Sequence, residues 1–116
     1  MSESLPQRSK GALEPATPTN LAELLDYAPG AVVSRTLAKS GAGTLTVFAF
    51  DRGEELSQHT TPFDAYLQVL DGRAELVIGG ESAFPRAGET VLMPANIPHA
   101  VKATQRFKML LIMIRG

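Results

Sequence analysis

From Ala31 onward the chain is cut into short runs of β-branched and aromatic residues by Gly, Pro and Asp turn signals. That punctuation limits the fold more than any other feature, because no run is long enough for a stable helix but each suits a strand. Ala31 to Ala38 is rich in β-branched residues, and Gly43 to Phe50 alternates Thr44-Leu45-Thr46-Val47 with a period of two. Asp51-Arg52-Gly53 turns the chain into a short strand that reaches His59. Phe63 to Leu70 reads as a strand, Asp71-Gly72 as a two-residue hairpin signal, and Arg73 to Ile78 as the return. Gly79-Gly80 predicts a second tight hairpin. Pro85, Ala87 and Gly88 mark the next turn. Thr90 to Met93, Ile97 to Lys102 and Phe107 to Ile114 follow as strands. The last is apolar on both faces after Lys108, so it needs a cover on each side. There is no strand–helix alternation, no long repeat and no heptad pattern. The expectation is all-β, a small antiparallel barrel or sandwich.

The stretch before Ala31 is different. Residues 1–18 mix Ser, Pro, Gly and charge without a period and predict a flexible leader, leaving residues 19–116 as the domain. Asn20 predicts a short N-terminal helix over NLAELLDY, with Asn20 as cap, Glu23 completing a capping box, and Pro29-Gly30 as the stop. At 116 residues the chain is of single-domain length. It has no cysteine, which excludes disulfides, thiolate metal sites and cysteine nucleophiles. A formal net charge of −1 offers no electrostatic footprint for nucleic acid or an anionic membrane. The first residues lack the apolar core of a signal peptide, and the longest apolar run, Met109 to Ile114, is too short to span a bilayer. These features predict a cytoplasmic protein with neither nucleic-acid nor membrane partners.

Two stretches carry the candidate chemistry. Gly53 is followed after five residues by His59, and Gly72 closes that stretch; Gly88 is followed by Pro94 and then His99. In register and spacing they resemble the two sequence motifs of the cupin family, across roughly residues 31–114. HTTPFDA, in the first motif, is similar to a branch of small single-domain cupin-2-type barrels. The resemblance implies an antiparallel β-barrel of the jelly-roll (RmlC-like) kind around an interior pocket, and pairing of barrels into a homodimer. In metal-binding members, two histidines and a glutamate of the first motif and the histidine of the second hold a divalent ion. Carried over by position, His59 and His99 stand at two of those places. Thr61 stands at the second histidine position and Ala65 at the glutamate position. Asn96 replaces a motif glycine, a mild change because asparagine tolerates a left-handed backbone.

His59, Thr61, Ala65 and His99 are therefore the expected pocket residues, within a few ångströms for the two imidazoles, and His59 and His99 the expected metal ligands. Two imidazoles fall short of the three protein ligands of a catalytic iron or zinc site. The expectation is a weakly bound first-row ion (Ni, Zn, Cu or Fe) or none. Asp64 is predicted to face away from Ala65, and the directions of Glu75 and Glu89 are open. The favoured reading is a barrel that binds a small molecule beside a degenerate metal site. The alternatives are a metal-dependent dioxygenase or isomerase, and a metal-free isomerase with His59 or His99 as base and Tyr66 as acid.

Overall fold

Period-two alternation in the sequence becomes two facing antiparallel sheets. The computed structural model describes residues 10–115. Its strands are β1 (Val32–Ser40), β2 (Gly43–Phe50), β3 (Glu55–His59), β4 (Asp64–Gly72), β5 (Glu75–Ile78), β6 (Glu81–Ala83), β7 (Thr90–Met93), β8 (His99–Lys102) and β9 (Phe107–Ile114). One sheet has the order β1-β2-β9-β4-β7 and the other β3-β8-β5-β6. This is the jelly-roll barrel that the strand pattern and the motifs implied. Gly79-Gly80 is a two-residue hairpin with φ of 57° and 86°, joining Ile78 to its partner Glu81. Both residues need positive φ, which glycine adopts without strain.

The registers define two ends. At one, Phe50 pairs with Phe107, Gly72 with Phe107, and Glu55 and Glu75 with Lys102. At the other, Gly43 and Asp64 pair with Ile114, and His59 and Ile78 with His99. The first end is packed solid. Phe50, Val69, Ala74, Leu76 and Phe107 are all 0% exposed, and the rings of Phe50 and Phe107 stack with centroids 4.5 Å apart. Burying the valine, leucine and phenylalanine side chains among them stabilises the fold by about 1.5–3 kcal/mol each.

The outer face of the five-stranded sheet has its own cover. Lys108, opposite Ala49, donates from Nζ to the Ala22 carbonyl at 2.7 Å, and Tyr27 donates to the Asp71 carboxylate. Burial first, and Asp71 second, push the Tyr27 hydroxyl well above the usual tyrosine range. Arg35 reaches back to the Gly11 and Ala12 carbonyls at 2.8 and 3.2 Å. The segment ahead of β1 thus lies over β9 and β4. Farther along the same face, Tyr66, Leu92 and Ile114 stay exposed. No helix among the described residues is long and apolar enough to cross a membrane.

Three expectations change. The N-terminal helix is a single 3-10 turn, Leu21–Glu23, although Asn20 does cap it by accepting from the Ala22 amide at 3.0 Å. The chain leaves the helix after this one turn, and the Ala22 carbonyl accepts from Lys108 on β9. So short a helix is marginal without packing in any case. Asp71-Gly72 is not a hairpin: β4 runs through both residues after a bulge past Val69, and the chain then crosses to the other sheet. Gly72 has φ 76°, and a Cβ there would collide with the Arg106 carbonyl. The strand expected from Ile97 begins only at His99. Of the expected leader, residues 1–9 lie outside the described residues.

Candidate functional site

His59 ends β3 and His99 begins β8, and the two are directly opposed across the ladder. Sequence spacing alone would not bring them to one face. Val101 and His99 are two residues apart and share a side of β8, but their partners Leu56 and His59 are three apart on β3. A register shift between Leu56 and His59 absorbs the extra residue. This bulge returns His59 to the side on which Leu56 meets the core. The imidazole centroids stand 4.4 Å apart, edge to face at 66°. His99 is buried, 4% exposed, while His59 is exposed at the rim.

Each ring is held by the backbone carbonyl two residues before it. His59 Nδ1 lies 2.8 Å from the Ser57 carbonyl, and His99 Nδ1 lies 3.2 Å from that of Ile97. A carbonyl only accepts, so each Nδ1 donates and the lone pair of the neutral ring sits on Nε2. This is the orientation in which an imidazole accepts a hydrogen bond or ligates a metal. Burial lowers the pKa of His99, and the nearby His59 lowers it further against a partial offset from the Ile97 carbonyl.

The other expected positions are less engaged. Ala65 is buried on the inner side of β4, between the two sheets. Thr61 folds onto itself, donating to the Phe63 carbonyl at 3.1 Å and accepting from the Phe63 amide. Tyr66 lies on the opposite face of β4 from Ala65 and Leu67 and is 39% exposed. The three carboxylates are turned elsewhere. Asp64 accepts from the Ala95 amide at 2.9 Å, Glu89 accepts from the Arg86 amide at 2.8 Å, and Glu75 alternates with the buried Ala74 and Leu76. Asn96 has the left-handed backbone its place requires, φ 64°, and its amide donates to the Thr61 carbonyl at 2.8 Å. That bond ties the two motif loops together beside the histidines.

The sequence profile of the cupin domain matches residues 46–115. The chain is a cupin. A conserved protein of unknown function from Streptococcus pyogenes is similar at 32% identity, over 98% of this chain and 98% of that one, with a TM-score of 0.90. A cupin 2 conserved barrel domain protein from Leptotrichia buccalis shares 41% identity over 84% of this cupin, which spans 47% of that chain, with a TM-score of 0.81. A cupin superfamily protein from Desulfitobacterium hafniense shares 27% identity over 95% of this chain and 100% of its own, with a TM-score of 0.86. No curated protein matches the chain.

Many cupins hold a metal, so the donor set of this one is the relevant test. Among the described residues no group of three or more His, Asp or Glu side chains converges. Two imidazoles alone do not fit a catalytic ion that keeps three protein ligands. What the motifs could not reveal is the polarity around the open end. In β2, Thr44, Thr46, Phe48 and Phe50 face the interior with Met113, Leu111, Met109 and Phe107 of β9. Leu45 and Val47 face outward. The alternation of this strand was readable, but not which phase pointed in. The hydroxyls of Thr36 and Thr46 meet at 3.4 Å, and the buried Thr44 hydroxyl has no partner among the described residues.

Proposed function

We propose that this cupin binds a small organic molecule at the open end of its barrel, against the His59–His99 pair and without a tightly held metal. The observation that carries the reading is the orientation of the two rings. Both Nδ1 atoms are engaged by backbone carbonyls, so the Nε2 lone pairs are the ones left for a ligand, on an exposed ring at His59 and on a buried one at His99. They suit a hydroxyl or amide donor on a ligand. A metal-dependent dioxygenase or isomerase is less well supported, because no third ligand among the described residues joins the pair. A histidine–tyrosine acid–base pair is also less well supported, because Tyr66 stands on the outer face.

The test is a Ni²⁺ titration of chelator-treated protein, followed by calorimetry and by the ¹⁵N signals of the imidazoles. Binding should be weak, should move the Nε2 resonances of both rings, and should vanish in His59→Ala and in His99→Ala. It should also weaken below about pH 6.5, where free imidazoles protonate. Full occupancy that survives dialysis against chelator would instead establish a third ligand and a metal centre.

A further inference from the structure

A cavity near the His59–His99 end of the barrel is lined by neither imidazole. It measures about 210 Å³ and lies where the β1–β2 hairpin meets the end of β9 and the turn before β4. Lys39, Ser40, Thr44, Phe63, Met113 and Arg115 line it together with two hairpin glycines, and no acidic residue among the described residues does. Lys39 pairs with Thr44 across the hairpin, so both side chains leave the same face. The Arg115 guanidinium lies 5.0 Å above the Phe63 ring, and its amide donates to the Ala42 carbonyl at 2.9 Å. Gly43 lets the hairpin backbone close on β9, since a Cβ there would collide with the Met113 carbonyl. The Thr44 hydroxyl, buried and without a partner among the described residues, is the donor this space leaves unused.

We infer that this cavity is an anion site for a small carboxylate with an apolar body, its carboxylate on Lys39 and Arg115 and its body against Phe63 and Met113. Two cations, with no carboxylate among the described lining residues, set the sign of the ligand's charge. Arginine matches a carboxylate in two-pronged geometry and stays charged at any working pH. The apolar floor distinguishes an organic acid from a bare oxyanion. Size sets the upper limit: a cavity of about 150 Å³ holds benzene, so this one holds one ring and its carboxylate. The inference goes beyond the histidine reading and uses neither imidazole.

Benzoate is a suitable probe, titrated into ¹⁵N-labelled protein at low salt, with benzyl alcohol and inorganic phosphate in parallel. Saturable shifts should centre on the amides of Gly41, Gly43, Thr44 and Arg115. Lys39→Gln and Arg115→Gln should each weaken benzoate roughly two- to fivefold, the range of an exposed ion pair. Raising the salt should do the same. The His59→Ala/His99→Ala double variant should bind benzoate as the parent does. The inference fails if benzyl alcohol or phosphate binds as well as benzoate, or if both charge variants bind it unchanged. Loss of benzoate in the histidine variant alone would place the acid on the imidazoles, which overturns this site and leaves the histidine reading standing.

Discussion

The two ends of this barrel are built from the same strands and do opposite things. At the Phe50–Phe107 end the facing sheets meet through large apolar side chains with no exposure. At the His59–His99 end the same strands present Thr44, Thr46, Met113 and Ile78, all partly exposed. The closed end also ties its loops, with Arg106 on Asp51 at 2.8 Å and Ala103 exchanging backbone bonds with Gly53 and Glu54. Arg106, and then the Gly30 amide, hold the Asp51 carboxyl down to about 2. Stability and site are thereby separated along one axis. Side chains at the open end are free to be polar because the other end supplies the packing that holds the sheets together.

The comparison breaks most visibly at Phe107. Phe107→Ala removes one ring of the stack and should cost about 3–5 kcal/mol, enough to unfold much of the population of a marginally stable domain. Urea denaturation measures it, and a loss under about 1 kcal/mol would mean the closed end does not carry the fold.

Acid probes the other end with an intermediate effect. His99 titrates below its ordinary value of 6.5 when folded, so between the two values the unfolded chain binds more protons than the folded one. The contribution is whole above about pH 6.5 and is lost as pH falls through the folded pKa. Thermal melting of chelator-treated protein should drop between pH 7 and 5 by more in the parent than in His99→Gln. Equal slopes would remove His99 as the source.

The smallest effect is expected at Thr44. Thr44→Val removes a hydroxyl that has no partner among the described residues, so the melting temperature should stay level or rise slightly, within about 0.5 kcal/mol. A loss of about 2 kcal/mol would show that the hydroxyl is bonded and that the open end supports the fold as the closed end does.

Much of this was legible in the residues. Alternation and turn chemistry are local, so the strands, the Gly79-Gly80 hairpin and the left-handed Asn96 could be read from the chain. So could the pairing of His59 with His99, through their motif positions. Three matters were not local. How far NLAELLDY stays helical depended on how it packs on β9 and β4, through contacts such as Lys108 on the Ala22 carbonyl, 86 residues away in sequence. Whether Asp71-Gly72 turns or runs on depended on the approach of β9 to Gly72. Which phase of Thr44-Leu45-Thr46-Val47 faces the interior depended on the outer face having its own cover. Side-chain alternation specifies that two faces differ, and only the packing of the second sheet on one and the N-terminal segment on the other decides which becomes the inside. That decision put hydroxyls, not leucine and valine, beside the site.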